Sequence, residues 1–179
     1  MVDPVFDMVF RFAASLLLAS AAWHKLQAPY DFRRALAGYK ILPGSFERPL
    51  VVVIPVLEGV IALGLIVAPL TAVWGVYAAI CLWLLYAAAI FANLLRGRTE
   101  IECGCGGLSS DQHIHKGLVM RNLVLVALLA LTLDGTFSRD LVWLDGFAIL
   151  FGTVMLLVLY ITADTLMRNH ATFQHEARS

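Results

Sequence analysis

Five apolar runs constrain this chain more than anything else in it, each close to the roughly 20 residues that carry a helix across a bilayer. They fall at 5–24, 49–68, 72–95, 117–133 and 146–167. Of the 179 residues, 60% are hydrophobic and only 15% charged, whereas an ordinary globular domain approaches about a quarter charged. A water-soluble core cannot bury so many apolar side chains. The sequence therefore predicts an all-α integral membrane protein, a bundle of about five transmembrane helices in one domain over 1–167. The polar tail, 168–179, is expected to be loosely ordered. Formal net charge is zero, so no basic field points to nucleic acid, and the first partner is the lipid bilayer.

The segment before the first run carries Asp3 and neither Lys nor Arg. A cleaved signal needs a positive n-region and a small-residue cleavage site, so the first run is expected to remain as a helix. Between the first two runs, Phe32, Leu36, Tyr39 and Ile41 interleave with Arg33, Arg34 and Lys40. That pattern predicts a short amphipathic helix at the membrane interface, opened by Pro29 and closed by Leu42-Pro43-Gly44. Pro69-Leu70-Thr71 reads as a tight turn.

The most polar loop, 96–116, contains Glu102-Cys103-Gly104-Cys105-Gly106-Gly107. Two sulfurs one glycine apart suit thiol–disulfide exchange, in which one thiolate attacks a partner disulfide and the second resolves the mixed disulfide. Cys103 and Cys105 are then the catalytic pair. A second chemistry is a metal site. Cys103, Cys105, His113 and His115 supply two thiolates and two imidazoles, the number that tetrahedral zinc takes, and thiolates also suit copper(I). A third reading leaves the chain a non-catalytic membrane anchor or assembly subunit, with the cysteines part of a glycine-rich turn. Cys81, inside an apolar run, reads as a small packing residue.

Ionisable groups inside membrane spans are costly and face a bundle interior or cavity. Glu58 is the clearest of them. Arg121 enters its helix from the same side and is the expected partner of Glu58, with Arg11 a weaker one. His24, Lys25, Glu58, Arg121 and Asn122 fall in the half of the bundle nearest the cysteine loop. There Lys25 or Arg121 would favour a thiolate.

Five crossings put the cysteine loop on the face that carries Lys25, Arg33, Arg34, Lys40, Arg48, Arg96, Arg98, Lys116, Arg168 and Arg178. The opposite face offers Arg139 and Arg11. The positive-inside rule places the cysteine loop in the cytoplasm.

The order Ala22-Trp23-His24-Lys25-Leu26, Pro29, Phe32, Tyr39-Lys40-Ile41-Leu42-Pro43, Glu58-Gly59, Cys103-Gly104-Cys105-Gly106-Gly107 and Arg121-Asn122 resembles the MauE family. This is a family of methylamine-utilisation membrane proteins within the wider DoxX-like, redox-associated group. The likeness runs from about Phe10 to Leu131, with Gly106 where the family pattern has an aromatic. It implies a four-helix core similar to vitamin K epoxide reductase in the bacterial inner membrane, with Cys103 and Cys105 as the redox pair. It also implies a thioredoxin-like or other membrane-associated protein partner, whose disulfides the chain helps to form or mature. It favours an extracytoplasmic active face, opposite to the charge count. A quinone, the electron acceptor implied by the wider resemblance, would lie at Glu58 and Arg121 with Lys25 and His24 beside them. No quinone motif stands in the sequence itself.

Overall fold

A computed structural model describes residues 2–40, 47–67, 69–98, 101, 114–134 and 139–176, with side chains at all of these except 69–72, 134 and 170–176. Among these residues six α-helices follow in order: α1 (Pro4–Gln27), α2 (Pro29–Tyr39), α3 (Glu47–Ile66), α4 (Pro69–Leu95), α5 (Lys116–Ala130) and α6 (Trp143–Glu176). A 3-10 turn, Leu131–Asp134, extends α5. Five of the helices are long and apolar enough to cross a membrane. The all-helical, five-span architecture expected from the apolar runs is the one observed.

The local chemistry of the termini explains most boundaries. Asp3 caps α1, its carboxylate accepting from the Val5 N–H at 2.8 Å, and Pro4 follows at the first helical position, where a missing N–H costs nothing. At the other end the Ala28 N–H donates to the His24 carbonyl at 3.0 Å, and Pro29 starts α2 at once. α2 buries Phe32, Ala35 and Tyr39 on one face and exposes Arg33 and Arg34, the predicted amphipathic pattern. α4 ends in a Schellman motif. The Arg98 N–H reaches the Asn93 carbonyl at 3.1 Å and the Gly97 N–H the Leu94 carbonyl at 3.1 Å. Gly97 supplies the left-handed φ of +69° that this requires.

Two expectations change. Pro69-Leu70-Thr71 does not form a turn between helices but begins α4, because proline is well placed at a helix start. α6 continues through Glu176 rather than stopping near Met167. At 1.5 Å per residue its 34 residues span about 51 Å, longer than a perpendicular crossing of a hydrocarbon core of roughly 30 Å needs.

The core belongs to four helices. Ala14 and Leu18 of α1, Ile61 and Leu65 of α3, Val76 and Trp83 of α4, and Leu129 of α5 form one buried cluster to which no described side chain of α6 contributes. Small residues let the helices close. A Cβ on Gly75 would stand 2.9 Å from the carbonyl carbon of Gly64, backbone against backbone, the kind of approach that membrane helices use in place of a hydrophobic driving force. Ser15 adds a hydrogen bond to the Ala62 carbonyl at 2.8 Å between α1 and α3. Outward, large apolar side chains such as Val60, Leu63, Leu85, Phe151 and Met155 are exposed. Such a surface would be an aggregation hazard in water and is the normal one against lipid. Trp74 and Trp143, both at helix starts on the end away from the cysteine loop, and Trp23 and Tyr30 at the other end are also exposed, as expected of aromatic belts.

Candidate functional site

The polar residues of the bundle gather toward the end where α1 runs into α2 and where α4 and α5 bracket the cysteine loop. Lys25, in the last turn of α1, is 3% exposed, and Glu58, midway along α3, is fully buried. The Lys25 ammonium donates to Glu58 Oε1 at 2.5 Å, and the Tyr86 hydroxyl of α4 donates to the same oxygen at 2.7 Å. The Lys25 nitrogen also lies 5.4 Å from the centre of the Phe32 ring and 5.3 Å from that of Tyr86, within the range of cation–π attraction. Four helices thus enclose one ammonium: α1 carries it, α3 neutralises it, and α2 and α4 cover it with aromatic faces. Glu58 Oε2 is buried with no hydrogen-bond partner among the described residues, as are Asn93 Oδ1 and Asn122 Nδ2. Leaving such a group unpaired costs about 1–3 kcal/mol. Polar atoms held at that cost are a feature of functional sites more than of scaffolds.

Sequence reasoning pairs Glu58 with Arg121; the structure does not. Arg121 of α5 donates to Asp164 of α6 at 2.7 Å and stacks over the Tyr160 ring at 5.7 Å. Arg11 pairs with Asp7 one turn away on α1. Lys25 wins Glu58 because its long stem reaches into the bundle from the end of a neighbouring helix. Asp164 and Tyr86 are the residues that sequence reasoning missed. A carboxylate inside an otherwise apolar span was the available signal for Asp164; Tyr86 carried none, being one aromatic among several in α4.

Of the four residues expected around a quinone, Lys25 and Glu58 are brought into contact, His24 is half-buried in the same turn of α1 as Lys25, and Arg121 faces elsewhere. A cleft of about 320 Å³ between α1, α5 and α6 reaches Arg121, but Glu58, Lys25 and His24 do not line it. This arrangement does not fit a quinone held jointly by Glu58 and Arg121. Nor is Lys25 or Arg121 an uncommitted cation awaiting a thiolate, since each has a carboxylate partner.

Cys103, Cys105 and His113 lie outside the described residues, but both ends of their segment are on view. The Ile114 N–H donates to the Ile101 carbonyl at 3.0 Å, closing the base of 102–113. Ile114 is 2% exposed and packs with Tyr39 of α2, Ile90 of α4 and Leu118 of α5. Ile101 lies against the same cluster and so close to Gly38 of α2 that a Cβ there would stand 2.9 Å from its methyl. The interfacial helix is therefore a buttress for the loop as well as a cover for Lys25. His115 caps α5, Nδ1 accepting the Gly117 N–H at 3.1 Å. Partial burial, helped by the charge of Arg121, holds its imidazole below the ordinary histidine range. Among the described residues, no three His, Cys, Asp or Glu side chains gather as a metal site. Cys81 is exposed on α4 rather than packed in the core.

The model of the family described as methylamine utilisation protein MauE matches residues 4–134, which span α1 to the 3-10 turn. The chain is 40% identical over 128 residues to methylamine utilization protein MauE of Paracoccus denitrificans, covering 72% of this chain and 68% of that one. It is 32% identical over 177 residues to the protein of that name from Methylophilus methylotrophus, covering 95% and 90% respectively. Identity to the Methylorubrum extorquens protein is 38% over 120 residues, 67% of this chain and 64% of that one. No solved structure matches. With its core helices inside the matched span and relatives over most of its length, this multi-pass membrane protein belongs to the MauE family.

Proposed function

We propose that this MauE-family protein is a membrane thiol–disulfide exchange protein that supports disulfide formation in, and so maturation of, a partner protein used in methylamine utilisation. Cys103 and Cys105 are the exchanging pair. A partner thiolate attacks the Cys103–Cys105 disulfide, forming a mixed disulfide and freeing one thiol of the pair. The partner's second thiolate then displaces the remaining cysteine, so the partner leaves oxidised and the pair reduced, two electrons and two protons richer. The reverse sequence reduces a partner by the same steps.

The observation that carries this reading is the pinned base of the cysteine segment. The backbone bond between Ile101 and Ile114, with Ile114 buried against α2, α4 and α5, ties both ends of 102–113 to a rigid bundle. Cys103 and Cys105 stand two and four residues beyond Ile101, so their anchor is fixed. Loops carried on a rigid scaffold are the usual position for reacting groups.

The test is alkylation mass mapping of the purified protein, with growth on methylamine of a MauE-dependent bacterium carrying the variants. Cys103 and Cys105 should switch together between disulfide and thiol across a redox titration, while Cys81 stays a thiol. Cys103→Ser/Cys105→Ser should assemble in the membrane but fail to support growth. Normal growth of that double variant would leave the protein a non-catalytic anchor and sink the exchange reading.

A further inference from the structure

α6 meets the core at its start, at Asp164 and along one line between them, not along its whole length. At the start Arg139 joins Asp3 to Asp145, at 3.0 and 2.9 Å. About two-thirds of the way along, Arg121 holds Asp164. Between these ties Gly152 lies against Val9, where a Cβ would come within 3.0 Å of a valine methyl. From there toward Arg121 the helices part, and the cleft of about 320 Å³ opens between α1, α5 and α6. Leu17, Val124, Leu128, Leu157 and Ala163 are among its lining residues, which are all apolar or aromatic except Arg121.

We propose that this cleft is a binding site for one acyl chain of a phospholipid, with the ester carbonyl of that chain accepting a hydrogen bond from Arg121. The wall and its surroundings select hydrocarbon, because the cleft lies within membrane spans. Its volume is about twice that of the roughly 150 Å³ apolar cavity that admits benzene and stands at the lower end of ligand pockets, so it takes a length of chain and not a whole lipid. The polar end is set by Arg121, whose side chain is 9% exposed. One terminal nitrogen serves Asp164 and the guanidinium rests on Tyr160. Its Nε is buried with no hydrogen-bond partner among the described residues. That donor calls for an oxygen acceptor. Asp164 pairs with Arg121 at 2.7 Å and with Arg168 at 3.8 Å, and the donor left over on Arg121 is a single N–H, which one carbonyl oxygen satisfies. Depth agrees: Arg121 is five residues into α5, about 7.5 Å along the helix from its start on the loop side, where hydrocarbon gives way to ester groups. The bound chain would seal α6 to the core where protein side chains do not.

Native mass spectrometry of the full chain, released from nanodiscs of phosphatidylethanolamine and phosphatidylglycerol, tests this. One phospholipid per chain should survive detergent exchange. Ala163→Phe and Leu128→Phe fill the cleft from opposite walls and should each cut that occupancy at least tenfold. Phe151→Leu, on the exposed face of α6, should leave it unchanged. Arg121→Lys retains a cation for Asp164 but lacks Nε and should weaken retention several-fold. Thermal melting confirms folding of each variant. Retention unaffected by both filling variants, no retained lipid in the parent chain, or a retained prenyl quinone in place of phospholipid would each overturn the assignment.

Discussion

Lys25 and Glu58, from different helices and 33 residues apart, share a 2.5 Å ion pair that is almost wholly sealed from solvent. Burying two charges is costly, and their attraction offsets that cost only while both are present. Removing one partner is therefore expected to be worse than removing both. Lys25→Met should lower stability by about 3–5 kcal/mol, while Lys25→Met/Glu58→Met should recover much of it. Thermal melting of the parent, Lys25→Met, Glu58→Met and the double variant in one detergent measures the coupling. Additive losses would mean that the pair does not act as a unit.

The approach of Gly64 and Gly75 predicts a sharp contrast between two glycines. Gly75→Ala pushes a methyl into the Gly64 backbone, which cannot rotate away, and overpacking of this kind costs about 1–3 kcal/mol. Gly59, on the same helix as Gly64, has nothing within 4 Å of an added Cβ. Gly59→Ala should be neutral or slightly stabilising, since alanine is the better helix former. Equal melting temperatures for the two variants would contradict the packing.

Ile114 holds the loop base by both backbone and side chain. Ile114→Ala should cost about 2–5 kcal/mol and loosen the anchor of the cysteine segment. Faster alkylation of Cys103 and Cys105 in this variant, with Cys81 unchanged, is the expected result. Unchanged rates would show that the base does not control access to the pair.

The cap on α5 predicts a pH dependence. A protonated His115 has no lone pair on Nδ1 for the Gly117 N–H. With its folded pKa held below the ordinary 6.5, the unfolded chain takes up the proton first as pH falls. Stability therefore declines from about pH 6.5 down to the depressed folded value, and this histidine adds no slope above that window. The melting temperature should be lower at pH 5.5 than at pH 7.5. His115→Asn keeps a capping oxygen and should flatten the difference; a slope that survives the substitution has another source.

Five spans and the basic residues at the loop end predict a cytoplasmic cysteine segment, the compartment in which the pair would reduce a partner rather than oxidise it. An impermeant maleimide should then label Cys103 and Cys105 in inverted vesicles and not in intact cells. Labelling of intact cells would place the pair on the face implied by the wider family resemblance and overturn the charge-based orientation.

What could be read from the sequence is what one segment decides for itself. Apolar run length specified the five spans, because crossing a bilayer is a matter of about 20 residues whatever their neighbours. The interleaving of Phe32 and Tyr39 with Arg33 and Arg34 foretold α2, and Glu58 stood out as a charge that had to find a partner. The choice of that partner was not legible. Lys25 and Arg121 both approach from the loop end, and their assignment depends on how each helix is rotated and how far each stem reaches. Asp164, on the helix outside the four-helix core, took Arg121 and left Glu58 to Lys25 and Tyr86. The same holds for the cleft and for the Gly64–Gly75 approach. Each is a relation between surfaces of separate helices, and only packing them together brings it into being.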